Sequence, residues 1–185
     1  MKQSTVFKIL GGVTVAAIGG AFAYRQATRP PVINADVPEP AKPVDLERYL
    51  GKWFELARHE NRFEKGLDAV TAEYAIAPGG KIQIINSGCQ GGPKSERSFV
   101  EGKAIVVDED TNAKLKVSFF GPFYTGDYWV LDHGDDYEWS IVGEPGGRYL
   151  WVLARETRPA NVEAIMKRVE ELGYDRWALR ITRHA

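Results

Sequence analysis

The sequence predicts an all-β domain, an eight-stranded antiparallel up-and-down β-barrel with one C-terminal helix. Three observations lead there. Between residues 53 and 155, eight short segments rich in β-branched and aromatic residues are separated by turn chemistry. The triplet Gly51-Lys52-Trp53 opens that run, and Arg155 closes it at the end of Tyr149-Leu150-Trp151-Val152-Leu153-Ala154-Arg155. One amphipathic stripe follows the strands.

The N-terminal elements come first. Lys2 and Lys8 precede an uncharged stretch from Ile9 to Tyr24. At roughly sixteen residues it is short for a membrane span and suits the apolar region of a signal peptide. Ala21-Phe22-Ala23 offers a small-x-small cleavage site, while Arg25 behind it also suits an uncleaved anchor, so residues 1–24 read as either. Residues 25–43 form a linker whose part from Arg29 to Pro43 is proline-rich, lacks an apolar period and reads as extended. The folded domain is assigned to 44–185.

Asp45 caps a short turn whose Leu46, Tyr49 and Leu50 can close one end of a barrel. Gly51 lets the chain bend into the first strand, Trp53 fills the tapered floor, and the Arg155 guanidinium stacks on the indole. Taken alone, the triplet reads equally well as a strand-start glycine before a core tryptophan. The strands expected are Trp53 to Arg58, Val70 to Ile76, Lys81 to Asn86, Phe99 to Val107, Lys114 to Phe120, Asp127 to Asp132, Glu138 to Gly143 and Tyr149 to Arg155. Pro78-Gly79-Gly80, the run Asp108 to Asn112, His133-Gly134-Asp135-Asp136 and Glu144-Pro145-Gly146-Gly147 supply turns between them. A meander of this kind removes its edges by closing on itself, with a two-sheet sandwich as the other architecture. Pro159 to Leu172 carries Val162, Ile165, Met166, Val169 and Leu172 at helical spacing, with Asn161 as cap and Gly173 as stop. This stripe is expected on the outer wall, before a last strand in which Trp177, Leu179 and Ile181 alternate.

Composition narrows the function. The 185 residues carry a formal net charge of -1 with scattered Lys and Arg, which gives no footprint for nucleic acid. The single cysteine, Cys89, excludes an intrachain disulfide and a Cys-based metal cluster. It lies beside Gly88, Gly91 and Gly92 and reads as a loop thiol, inert or able to pair between chains. His59, His133 and His184 have no ligand spacing, so no metal is expected. No nucleophile elbow, Gly-rich phosphate loop or Ser-His-Asp order is present, so the chain reads as a non-enzyme needing no cofactor.

Several segments, taken in order, carry a resemblance. They are Gly51 to Arg58 (GKWFELAR), Arg62 to Leu67 (RFEKGL), Val70 to Tyr74 (VTAEY), Lys116 to Phe123 (KVSFFGPF), Asp127 to Val130 (DYWV) and Tyr149 to Arg155 (YLWVLAR). From Val44 to the C-terminus the chain resembles the lipocalins, and within them the bacterial Blc-type subgroup. The resemblance implies the barrel with its helix and a ninth strand, and binding of fatty acids or lysophospholipids in the Gram-negative envelope. Members of that subgroup are often outer-membrane lipoproteins whose leader ends at a lipidated cysteine, whereas no cysteine precedes Cys89 here. A soluble periplasmic form or a tether through the uncleaved leader is therefore expected.

Strand parity turns these segments into a site. If Trp53 and Arg155 meet inside the base, then Glu55 and Ala57 face inward with Trp53, and Tyr149, Trp151 and Leu153 with Arg155. Alternation and the family alignment add Ala72 and Tyr74, Ile82 and Ile84, Val100, Gly102 and Ala104, Val117 and Phe119, and Tyr128 and Val130. The ligand-contacting set is Tyr74, Ile84, Val117, Phe119, Tyr128, Val130, Tyr149 and Trp151. Ala57, Ala72, Gly102 and Ala104 are expected to leave room for the ligand, while Gly51, Trp53 and Arg155 build the base. Arg62 and Lys65, on a loop across the mouth, can pair with a carboxylate or phosphate or remain solvated loop charges. Glu55, an inward acid, requires a base or hydroxyl partner. A lipocalin-fold enzyme with Glu55 or Tyr128 as acid or base is the alternative to a carrier. The segment Gly121-Pro122-Phe123-Tyr124 can dock a partner or a second copy.

Overall fold

The computed structural model describes residues 30–185, of which Val32–Ala185 form one compact unit. The expected leader lies outside the described residues. Strands β1 (Gly51–Arg58), β2 (Leu67–Ala77), β3 (Lys81–Gln90), β4 (Arg97–Val106), β5 (Lys114–Ser118), β6 (Gly126–His133), β7 (Trp139–Gly143) and β8 (Leu150–Ala154) pair antiparallel in sequence order. β1 then pairs with both β8 and β2, so the sheet closes on itself and the sandwich alternative is overturned. Short α1 (Leu46–Tyr49) precedes the barrel, and α2 (Val162–Glu171) follows it.

Period-two patterning makes two cores. Inward residues such as Trp53, Tyr74, Ile84, Ala104, Leu115, Val130 and Leu153 form one cluster. Leu56, Leu131, Ile141, Leu150 and Val152 point out of the wall and bury against Ile165, Met166, Val169 and Leu172 of α2. The helix thus covers the face that would otherwise expose a strip of aliphatic residues to water. Asn161 stands at its N-terminus without a capping side-chain bond.

The base is built as a hydrogen-bonded plug. Asp45 Oδ1 accepts from the backbone N–H groups of Glu47 and Arg48, which fixes α1 across the barrel end. Trp53 is fully buried and donates from Nε1 to the Tyr49 carbonyl at 2.9 Å. The Arg155 guanidinium lies 3.7 Å from the centroid of the Trp53 ring and donates to the carbonyls of Lys52, Arg48 and Leu50 at 2.8, 2.9 and 3.0 Å. Gly51 adopts φ +89°, which an L side chain resists, so the chain turns from the plug into β1 there.

β1 does not alternate throughout. Its pairing with β8 shifts between Glu55 and Ala57, so that Glu55 faces Leu153 and Ala57 faces Val152. This bulge turns Ala57 outward into the helix-side core, correcting the inward assignment, and brings Arg58 opposite Trp151 on the lumen side. Beyond the bulge β1 parts from β2, and the C-terminal tail fills the gap. Strand β9 (Arg180–Ile181) pairs with Ala57 and Arg58, Thr182 N donates to the Leu56 carbonyl, and Ala69 N donates to the Arg183 carbonyl. On the β2 side Asp68 is fully buried and held by Arg180 and Arg183, and next to it Ala69 takes φ +50° where the β2–β3 register shifts.

Three other expectations change. Trp177 sits in a 3₁₀ turn (Arg176–Ala178) and is 82% exposed, and Ile181 is 60% exposed, so the ninth strand is two residues long and carries no buried alternation. Cys89 lies within β3 between Asp68 and Arg97 and is 2% exposed, so wall packing rather than a glycine-rich loop surrounds the thiol. The proline-rich stretch is bound from Ile33 on: Ile33 N and Asn34 N donate to the Gly147 carbonyl, Asn34 Nδ2 to Leu172 O, and Ala41 N to Leu131 O.

Candidate ligand-binding site

β1 starts at the plug and its neighbours alternate in direction, so the β1–β2, β3–β4, β5–β6 and β7–β8 connections emerge at the opposite, open end. Between plug and mouth the lumen has two chemically distinct halves.

The lower half is apolar. Leu46, Leu50, Ile82, Ile84, Ala104, Leu115, Val117 and Val130 surround a void of about 20 Å³, roofed by Tyr74 and Tyr128. The Tyr128 hydroxyl lies 2.9 Å from that of Tyr74 and 3.0 Å from that of Tyr49, which in turn lies 2.9 Å from Ser140 Oγ. Burial pushes the Tyr49 phenol up to about 12 and raises Tyr74 and Tyr128 as well, so all three hydroxyls stay neutral donors and acceptors. A chain of neutral hydroxyls spans the lumen without a charge to solvate.

The upper half is polar and charged. Arg58, fully buried, donates from Nη1 to Glu55 Oε1 at 2.6 Å and from Nη2 to the carbonyls of Glu64 and Leu67. Thr182 Oγ1 from the tail donates to the same Glu55 oxygen. Burial pushes the Glu55 carboxyl up to about 7, the charge of Glu64 adds to this, and Arg58 opposes it. Glu64 reaches down from the β1–β2 loop, and its Oε2 accepts from Trp151 Nε1 and Asn61 Nδ2, both at 2.8 Å. That loop is thereby pinned across the mouth from beneath. Glu55 Oε2, Arg58 Nε and Asn86 Oδ1 are buried there with no hydrogen-bond partner. Asn86 faces the lumen, because it pairs with Ala72 and Val100 in register with inward Tyr74 and Ile84.

The predicted lining residues distribute as follows. Tyr74, Ile84, Val117, Tyr128 and Val130 surround the lower void. Trp151 and Phe119 are partly buried against the same interior cluster, and Tyr149 stacks on Trp151 with centroids 5.6 Å apart, on the mouth side. Arg62 and Lys65 are exposed on the loop, and the Arg62 guanidinium lies 4.7 Å from the Phe63 centroid; the charges inside the mouth belong to Arg58 and Glu64 instead. Gly102 leaves no open space either. A Cβ there would stand 2.6 Å from the Phe119 ring, so the position accommodates an aromatic side chain and not a ligand.

Sequence reasoning passed over Arg58, Asn86, Thr182 and Leu115. For Arg58 a signal existed, since an inward Glu55 needs a base and Arg58 is the nearest in sequence, but regular alternation puts the two on opposite faces. Only the bulge reconciles them. A second hollow, about 220 Å³, lies outside the barrel among Leu56, Pro159, Val162, Met166 and Ile181, and it has none of the buried unpartnered polar atoms of the lumen. Among the described residues, no group of three or more His, Cys, Asp or Glu side chains is arranged to hold a metal.

The architecture and the sequence both have relatives. Insecticyanin from the tobacco hornworm Manduca sexta superposes with a TM-score of 0.64 over 81% of this chain and 85% of that one at 23% identity, a likeness of fold. The outer membrane lipoprotein Blc of Vibrio cholerae is 42% identical over 144 residues, covering 76% of this chain and 82% of that protein. Temperature-induced lipocalin-1 of Arabidopsis thaliana is 36% identical over 148 residues, 74% of this chain and 77% of its own. Residues 44–184 match the lipocalin-like domain family. A closed eight-stranded barrel with an outer helix, a Trp53–Arg155 plug and a match over nearly the whole folded unit place the chain in the lipocalin family, within its Blc-type bacterial branch.

Proposed function

We propose that this lipocalin binds an amphiphile with a single long acyl chain, a fatty acid or a lysophospholipid, and stores or transports it in the bacterial cell envelope. The observation that carries the reading is the division of one enclosed lumen into an apolar lower half and an upper half where Glu55 Oε2, Arg58 Nε and Asn86 Oδ1 are buried without partners. The first suits an acyl tail. The second offers both donors and acceptors to a carboxylate, ester or hydroxyl near the head. The Blc proteins among its relatives are named as outer membrane lipoproteins, which supports an envelope location, either periplasmic or at a membrane.

Burial of the tail gains about 0.8 kcal/mol per CH₂, roughly 10 kcal/mol gross for a sixteen-carbon chain, and association costs bring the dissociation constant to the order of micromolar. The void of about 20 Å³ is far smaller than a filled ligand pocket of roughly 300 Å³ or more. Uptake therefore requires rearrangement: the Trp151–Glu64 contact opens, the β1–β2 loop lifts, and Phe119 with the tyrosine chain repacks. Native mass spectrometry and solvent extraction of the purified protein test the reading, with fatty acid or lysophospholipid recovered at up to one per chain and Trp151 fluorescence changing on displacement. A barrel that takes up no amphiphile under these conditions refutes it.

Catalysis in the lumen is favoured by one observation, the buried Glu55 carboxyl whose second oxygen is unpartnered. Its first oxygen is committed to Arg58 and Thr182, which fits a structural and head-group role better than a proton shuttle. Turnover of lipid esters, epoxides or isomers that Glu55→Gln abolishes would establish the enzyme; unchanged substrate leaves binding.

A further inference from the structure

The rim of the barrel has an aromatic surface that neither the plug nor the lumen uses. Phe63 on the β1–β2 loop is 60% exposed, Phe99 at the mouth end of β4 is 69% exposed, and Phe120 and Phe123 on the β5–β6 connection are 81% and 74% exposed. Three separate segments thus hold phenyl rings out into solvent around one opening. Antiparallel order places all of them at the end away from Trp53 and Arg155. Phe99 stands on the outer face, since its neighbours Val100 and Gly102 are in register with inward Ile84 and Asn86.

Charge is divided between the two ends. The rim interleaves the exposed side chains of Arg62, Lys65, Lys94 and Arg97 with these rings. Glu60 and Glu64, the acids of the same loop, are turned onto Arg58, Arg180, Asn61 and Trp151, which leaves Glu96 as the exposed acid next to the cations. At the plug end, Asp108, Glu109 and Asp110 fill the β4–β5 turn, while Asp135 and Asp136 of the β6–β7 turn are paired with Lys42 and Arg48 at 2.7 and 3.4 Å. Cations interleaved with rings at the rim, opposite a plug end whose acids and bases largely offset each other, orient the molecule in the field of a negatively charged surface.

We infer that the open end of the barrel docks on an anionic phospholipid surface, with Phe63, Phe99, Phe120 and Phe123 seated among the headgroups and the rim cations facing the phosphates. Rings exposed around one opening bury apolar area without requiring a spanning segment, and each cation near the surface adds attraction that salt screens. The plug-end turns β4–β5 and β6–β7 expose no such ring, so docking is mouth-down and the lumen opens toward the lipid. A second copy of the chain fits this rim poorly, because face-to-face pairing would bring like charges together around the rings. The inference stands apart from the identity of any ligand in the lumen.

Hydrogen exchange of the full chain with vesicles of phosphatidylethanolamine and phosphatidylglycerol, read segment by segment, tests it even if the N-terminal residues also bind lipid. Segments 61–66, 94–99 and 119–125 are expected to exchange several-fold more slowly on these vesicles and to lose the effect in high salt, while 107–113 and 134–138 stay unchanged. The exposed-site variant Phe120→Ser/Phe123→Ser, with its fold checked by circular dichroism, should lose the slowing at 61–66 as well as at 119–125. Rim segments that exchange as in free solution while vesicles bind elsewhere overturn the inference. So does slowing that grows with protein concentration in the absence of vesicles, which would make the rim a contact between copies.

Discussion

Replacing Glu55 by Gln should remove a pH dependence of stability that the lumen itself creates. Glu55 is 1% exposed, its carboxyl is pushed up to about 7 chiefly by burial, and an ordinary glutamate in the unfolded chain titrates near 4.5. Between those values the folded protein holds a proton that the unfolded chain has released. Stability from this group is therefore fully present below the unfolded value and is lost as pH rises through the folded one. The difference corresponds to about 3 kcal/mol, with the opposing pull of Arg58 on the ionised form already contained in it. Urea unfolding of the wild type from pH 4.5 to 8 should show ΔG falling relative to Glu55→Gln, with the two curves closest at the acid end, where the wild-type carboxyl is protonated as the amide is neutral, and furthest apart at the alkaline end. Gln keeps an acceptor for Arg58 and Thr182, so the folded spectrum should be unchanged. A wild-type stability that rises with pH relative to the variant would mean that the Glu55–Arg58 pair is ionised throughout, and the account of a proton-bearing lumen would be wrong.

Arg155→Ala removes the stacking on Trp53 and the donors to four plug carbonyls, those of Arg48, Tyr49, Leu50 and Lys52, and should cost about 3 kcal/mol in chemical denaturation; Arg155→Lys, which keeps the charge and one donor, should cost clearly less. Ala104→Phe fills the apolar lower lumen, and native mass spectrometry should show lipid occupancy falling to background, at an overpacking cost of about 1–3 kcal/mol. Asp68→Asn breaks the buried pairing with Arg180 and Arg183, so exchange of residues 180–184 should accelerate. The Arg183 hydrogen bond holds the Asp68 carboxyl below its ordinary value, so its contribution is present above that value and lost on acidification, and the variant should lack that acid limb.

The barrel was legible because its cause is periodic. Wherever one face of a strand is buried, a period of two writes the register into the residues, and that parity, together with the resemblance to the family, places Tyr74, Ile84, Val117 and Val130 in the interior, where they lie. The plug was legible because Trp53 and Arg155 are unusual residues at opposite ends of the strand run. What failed was local and aperiodic. A one-residue bulge after Glu55 reversed Ala57 and hid the approach of Arg58, and no residue type in Leu56-Ala57 announces it. Gly102 read as free space because sequence shows the missing side chain but not the Phe119 ring that covers it. Cys89 was assigned from its glycine neighbours to a loop, although β3 continues through Gly88 to Gln90. Asn86, Glu64 and Thr182 come to the upper lumen from three distant segments, Glu64 onto Trp151 and Thr182 onto Glu55, and such convergence leaves no pattern along the chain.

The tail wedged between β1 and β2 sets the timetable of folding. Thr182 contacts Glu55 across 127 positions, and Ala69 cannot satisfy its N–H until Arg183 arrives. Hairpins such as β2–β3 and β3–β4 join neighbours in sequence and can form early, but the upper part of the β1–β2 seam waits for residues 180–183. Until then the early strands present an unfinished edge. A chain whose residues 180–183 have not yet docked therefore keeps the upper edges of β1 and β2 open to pairing with other chains, so the fastening guards the barrel against edge-to-edge association.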